Sequence, residues 1–188
     1  MGADNLAREH GLESDPIVAL IVAGDRRRAV AECARTHGPA IGRLCMAFLG
    51  SQHDAEEAAQ ETLIAAFDAM AGYRGEGTLR AWLFTIARRV CARRVETRVR
   101  REAKLRLVRD DEAADGDAEA LLLARRRAER VRAALEQLKP SERDAVVLRF
   151  ESDLSFREVA DACGIDEAAA RKRVSRALGR LRETLGEE

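Results

Sequence analysis

Apolar positions recur at helical spacing along most of this chain, and no run alternates long enough to make a convincing strand. Asp15 and Pro16 start a helix that runs to about Ala23, with Pro at the first helical position, where its missing N–H costs nothing. Gly24 breaks it. A second helix spans Asp25 to His37 and is closed by Gly38 and Pro39. A third, Ala40 to Leu49, ends at Gly50. The fourth, Asp54 to Met70, opens on acids that suit a helix N-terminus and stops at Gly72. Residues 73–77 form a loop. Thr78 then caps a long helix to about Arg101, with Leu79, Trp82, Leu83, Ile86 and Val90 as its core stripe. Phe84 falls on the opposite face, a costly place for Phe unless something covers it.

Periodicity dissolves over residues 102–117, which are charge-rich and include DDEAADGD, so this stretch reads as a flexible acidic linker. Helical spacing resumes from Ala118 to Leu138, Pro140 stops it, and Ser141 caps the next helix. Ser155 and Glu158 form a capping box. The helix they open turns Val159, Ala160 and Cys163 to one side; Gly164 permits a tight turn and Ile165 plugs back into the core. Asp166 caps a last helix carrying Ala170, Val174, Ala177, Leu178, Leu181 and Leu185 on one face. The expected fold class is all-α: two small helical domains, 15–101 and 118–188, joined by the linker at 102–117, the second containing a helix-turn-helix.

Composition agrees with packed helices. The chain has 188 residues, 46% of them hydrophobic but only 4% aromatic, which disfavours a sheet sandwich. Its formal net charge of zero is a cancellation. From Arg88 to Arg109 there are ten basic residues opposed only by Glu96 and Glu102, whereas Asp54, Glu56, Glu57 and Glu61 form an acidic block and residues 110–119 another. Ligands respond to such local patches more than to the sum, because screening acts over about 8 Å. On the last helix, Arg171, Lys172, Ser175 and Arg176 point away from the apolar face, and no acid interrupts Arg171 to Arg182. These are residue types that reach phosphates and base edges in a major groove.

Catalysis finds no support. There is no phosphate-cradling glycine loop followed by Lys-Ser/Thr, no nucleophile–His pairing, and no metal-ligand spacing among Cys33, Cys45, Cys91, Cys163 and the three His, so no metal or cofactor is expected. Cys33 and His37, one helical turn apart, read as structural. The first residues lack a secretory signal, and no apolar run spans a bilayer. A cytoplasmic protein with reduced thiols and no membrane insertion is expected.

Three segments in series, DAEEAAQETLIAAF (54–67), YRGEGTLRAWLFTIAR (73–88) and residues 138–182, resemble the bacterial RNA polymerase sigma factors of the extracytoplasmic-function group. The resemblance implies a front domain that binds core RNA polymerase and opens the promoter, and a rear domain that reads the −35 element as duplex DNA. By that likeness Asp54, Glu57, Gln60 and Glu61 dock on a basic coiled coil of the polymerase. The loop at 73–77 and the helix after it capture the −10 non-template single strand, with Tyr73, Arg74, Arg80, Trp82, Phe84, Arg88 and Arg89 as the candidate contacts. Trp82 lies mostly in the packing stripe. Arg89 stands where the family usually has Asn, and Arg cannot accept a hydrogen bond from a base, so base preference there differs or relaxes. In the rear domain Arg171, Lys172, Ser175 and Arg176 fit the base-facing positions, while Arg173 and Arg180 sit at the flanks as phosphate contacts.

The resemblance also implies a negative partner, an anti-sigma factor acting in trans, since the sequence stops at Glu188 just after the recognition helix. The acidic linker is either a solvated tether or, as in the family, a segment that runs through the polymerase's basic channel. Two other readings remain at this stage: a helix-turn-helix regulator that binds operator DNA without polymerase, and an interaction module that sequesters another regulator.

Overall fold

The computed structural model describes residues 15–105 and 119–186, and every regular element among them is helical. In chain order these are α1 (Pro16–Val22), α2 (Arg26–Leu49), α3 (Gln52–Ala69), a 3-10 turn (Met70–Gly72), α4 (Leu79–Leu105), α5 (Glu119–Gln137), α6 (Pro140–Phe150), α7 (Phe156–Cys163) and α8 (Glu167–Leu185). No described helix is long and apolar enough to cross a membrane.

Most starts follow local capping chemistry. Asp15 accepts from the Ile17 N–H at 2.8 Å, Thr78 Oγ1 from the Ala81 N–H at 3.1 Å, and Asp166 from the Ala169 N–H at 2.7 Å. The capping box of Ser155 and Glu158 is complete, and Gly164 ends α7 in the left-handed region at φ 64°. Two starts differ from the sequence reading. Ser51, not Asp54, caps α3, two residues' length earlier than expected. Pro140 takes the first helical position of α6, so Ser141 lies inside the first turn and caps nothing.

The larger correction concerns Gly38 and Pro39, expected to separate two helices. They sit within one continuous α2. A proline inside a helix costs about 3 kcal/mol. That cost is met because α2 is anchored on both sides of the proline: Ala29 and Cys33 bury in one apolar cluster, and Ile41, Leu44, Cys45 and Phe48 in another. The linker expectation falls partly on α4, whose backbone stays helical to Leu105; residues 106–118 lie outside the described residues.

The two clusters define the architecture. The smaller one gathers Ile17, Val18 and Ile21 of α1 with Cys33, Met70, Leu79 and Leu83, closing the end of the N-terminal region. The larger one runs through both regions: Ile41, Leu44 and Phe48 of α2, Phe84, Ala87 and Val90 of α4, then Val146 and Leu148 of α6, Leu154, Val159 of α7, and Val174 and Ala177 of α8. Leu83 and Phe84, neighbours in sequence, therefore feed different clusters. Phe84 is wholly buried on the side of α4 that the C-terminal helices cover.

A continuous α2 has a measurable consequence. Pro39→Ala restores a helical N–H at an exposed position and should stabilise the fold by about 1–3 kcal/mol. A rise in the chemical-denaturation midpoint at constant m is the expected result; two helices meeting at Pro39 would give no change or a loss.

Candidate nucleic-acid interface

The last helix is built to present charge. Ala170, Val174 and Ala177 bury one face of α8, while Arg171, Lys172, Ser175 and Arg176 are exposed on the other. Arg171 is held in place by two neighbours: its guanidinium bonds Glu167 Oε1 at 2.6 Å and lies 4.4 Å from the centroid of the Phe156 ring. Phe156 and Glu167 thus orient the first cation of the helix: the Glu167 bond is an i to i+4 pair along α8, whereas the Phe156 contact comes from α7. The two flanking arginines behave differently. Arg173 is half-buried near Asp144 and Cys163; burial raises both of those groups above their ordinary range, and the Arg173 charge acts against that rise. Arg180 bonds the buried Glu142 at 2.6 Å, tying α8 to the first turn of α6.

On α3, Glu57 and Gln60 are exposed, and Asp54 and Glu61 half-buried. The acids do not stand alone. Arg94 of α4 bridges Glu57 at 3.0 Å and Glu61 at 3.1 Å, and Arg93 takes the other Glu61 oxygen at 2.8 Å. The Arg94 hydrogen bond, helped by His53, holds the Glu57 carboxyl below the usual range. The front acids are therefore an α3–α4 clasp as well as an anionic face. Sequence spacing could not show this, because the partners lie more than thirty residues apart.

The loop and α4 carry the remaining candidates. Tyr73 packs edge-on against Trp82, ring centroids 5.0 Å apart, both half-buried on the smaller cluster. Burial, reinforced by Asp15, pushes the Tyr73 hydroxyl up to about 12. Arg74 and Arg89 are exposed. Beside Arg89 a cleft of about 520 Å³ opens between α3 and α4 and is bordered by Ala65, Ala69, Ile86, Arg88 and Arg93.

Three candidates on α4 instead face the C-terminal region. The Arg80 guanidinium donates to the Ser152 carbonyl and lies 6.0 Å from the Phe84 ring centroid. Arg88 donates to Asp144 Oδ2 at 2.9 Å in a pair that is mostly buried on both sides. Burial raises the Asp144 carboxyl above the ordinary aspartate range, with Arg88, Arg143 and Arg173 acting in the opposite direction. At the start of α4, Thr78 Oγ1 donates to Glu158 Oε1 at 2.9 Å. Across the same seam Arg143 stacks 5.4 Å from the Phe48 ring centroid, and Arg132 covers Gly50, where a Cβ would come within 2.5 Å of it.

The cysteines hold a further surprise. Cys45 and Cys91, scattered in sequence, meet inside the core with sulfurs 3.6 Å apart. Cys33 is pushed up to about 11 by burial, then by Asp15 and Glu32, and burial lowers the neighbouring His37, as suits packed structural side chains.

Family models for sigma-70 region 2 and sigma-70 region 4 match residues 33–101 and 128–181. The sigma factor SigD of Mycobacterium tuberculosis is 31% identical over 93% of this chain and 85% of its own length. SigE of Mycolicibacterium smegmatis is 32% identical over 82% of this chain, which spans 60% of that relative's length. Among solved structures, the sigma factor RpoE of Bartonella quintana, crystallised with the anti-sigma factor NepR, is 26% identical with a TM-score of 0.62, covering 82% of this chain and 95% of that one. The paired arrangement of an N-terminal helical region and a C-terminal region ending in a cationic helix, matched in order by both family models, places this chain in the extracytoplasmic-function group of RNA polymerase sigma factors.

Proposed function

We propose that the chain binds core RNA polymerase and directs promoter-specific initiation, α8 reading the −35 duplex and the loop at 73–77 with α4 capturing the −10 non-template strand. The observation that carries this reading is the division of α8 into a buried apolar face and an exposed row of Arg171, Lys172, Ser175 and Arg176, with Arg171 braced by Glu167 and Phe156. A guanidinium held in this way loses less freedom when it meets a guanine edge. Helix α7, turned at Gly164 against α8, acts as the supporting helix of the helix-turn-helix.

The α3 acids supply the polymerase-docking face, since Arg or Lys on a partner can compete for carboxylates already ordered by Arg93 and Arg94. Arg74 and Arg89, both exposed, supply cations for the single strand, Arg80 and Arg88 add theirs only when released from Ser152 and Asp144, and the cleft beside Arg89 offers room for a base. The crystallised complex of RpoE with NepR supports an anti-sigma factor as a partner for this chain too. Domain limits at 15–101 and 118–188 and a cytoplasmic location belong to the same proposal. No bound cofactor has a part in it.

Run-off transcription with core polymerase on a genomic library, followed by sequencing of the products, tests the reading. Promoter-specific products are expected; specific promoter binding by the chain alone, without polymerase binding, would instead support an operator-binding regulator. Arg171→Ala should cost roughly 1–3 kcal/mol of discrimination at one −35 position and leave polymerase affinity intact, read by footprinting and pull-down. Glu57→Lys with Glu61→Lys should do the reverse, provided thermal melts show a folded protein, because it also sets like charges against Arg93 and Arg94. In an NMR titration, Arg94→Ala should let Glu57 titrate nearer the ordinary glutamate range, so that its carboxyl protonates at higher pH than in the parent chain.

A further inference from the structure

We infer that Cys45 and Cys91 form a site of reversible oxidation, where a peroxide-class oxidant joins α2 to α4 by a disulfide inside the N-terminal core. The site is independent of the sigma-factor reading and adds a covalent chemistry to it. Cys45 of α2 and Cys91 of α4, 46 residues apart in sequence, bring their sulfurs to 3.6 Å, and both side chains are fully buried. Closing to the about 2.05 Å of a disulfide moves each sulfur by less than about 1 Å. The other two cysteines lie elsewhere: Cys33 in the smaller apolar cluster, Cys163 at the end of α7. Helices α2 and α4 already share one apolar cluster here through Leu44, Phe48, Ala87 and Val90, so the bond replaces a contact rather than creating one.

The two sulfurs are not equivalent. The Cys91 S–H donates to Cys45 Sγ, and this bond, aided by the Arg94 charge, holds the Cys45 thiol below its ordinary range against burial; the same bond raises Cys91. Cys45 is therefore the nucleophile. Its sulfur attacks one peroxide oxygen, the O–O bond breaks, and the hydroxide leaves as water with the thiol proton, giving a sulfenic acid. The Cys91 sulfur then attacks Cys45 Sγ, the S–O bond breaks, and the departing hydroxide takes the Cys91 proton. Two thiols lose two electrons, and one peroxide becomes two waters. A small oxidant has short routes inward. Gly42 and Met46, near Cys45 along α2, border a cleft of about 450 Å³, and Val90 and Ala92, on either side of Cys91, border the 520 Å³ cleft. Burial shields the sulfenic acid from external thiols, and the touching Cys91 captures it before further oxidation.

The native full-length chain, treated with hydrogen peroxide, alkylated with N-ethylmaleimide in denaturant and digested without reductant, tests this by mass spectrometry. A linked Cys45–Cys91 peptide is expected, with Cys33 and Cys163 alkylated, and dithiothreitol should remove the link. The oxidised chain should melt roughly 5–10 °C higher, because the bond constrains the unfolded chain across the 46 residues between them. Cys45→Ala and Cys91→Ala should each abolish both the link and the rise. Cys33→Ala with Cys163→Ala should keep both.

The parent chain gives the deciding readings even where a variant fails to fold. Cys45 and Cys91 both recovered alkylated after oxidation overturn the site, as does a Cys45 sulfinic acid with no link. Links scrambled among all four cysteines, or formed only in denaturant, overturn the native pairing. A linked chain that melts lower than the reduced one overturns the fit of the bond to the fold. Loss of polymerase pull-down in the reduced parent chain counts against the sigma-factor reading alone and leaves the mapped link untouched.

Discussion

Phe84 faces away from the packing stripe of its own helix, and it is buried in the cluster that α4 shares with α2 and with the C-terminal helices α6, α7 and α8. Removing a phenylalanine side chain from water is worth roughly 1.5–3 kcal/mol, and the same seam also covers Ala87 and Val90 with Leu148, Leu154 and Val159. This apolar contact is the constraint on which the relation of the two regions depends. With it in place Arg80, Arg88 and Thr78 are brought to Ser152, Asp144 and Glu158; without it those polar groups would face water.

The polar contacts play a different part. Burial raises the Asp144 carboxyl even beside Arg88, which means that desolvation outweighs the attraction of three nearby arginines. The pair therefore adds little net attraction and chiefly selects the partner: α4 meets this face of α6 because another arrangement would leave a buried carboxylate or guanidinium unmatched. The Glu142–Arg180 pair does similar work between α6 and α8. On the front, Arg93 and Arg94 hold the α3 acids from the other side, so the acidic block and the basic stretch of the sequence neutralise one another across a helix pair before any partner arrives.

Much of the fold was legible because it is written in local chemistry. Caps at Asp15, Thr78, Ser155 and Asp166, the turn at Gly164 and the buried face of α8 depend on residues within a few positions of each other. The family resemblance was equally local, carried by short segments in order. Local rules failed at Pro39, where burial on both sides of the proline outweighs its helix-breaking cost, and at Ser141, where Pro140 sets the helix start.

The candidate site divides along the same line. Helical periodicity determined which face of α8 carries Arg171, Lys172, Ser175 and Arg176, since neighbours along a helix are set by its pitch. It also marked Phe84 as out of place and left its cover unnamed. The partners of Arg80, Arg88, Arg94 and Phe84, and the meeting of Cys45 with Cys91, were decided only by tertiary structure. Each joins residues on different helices, and no periodicity in one segment specifies which distant surface will exclude water from it.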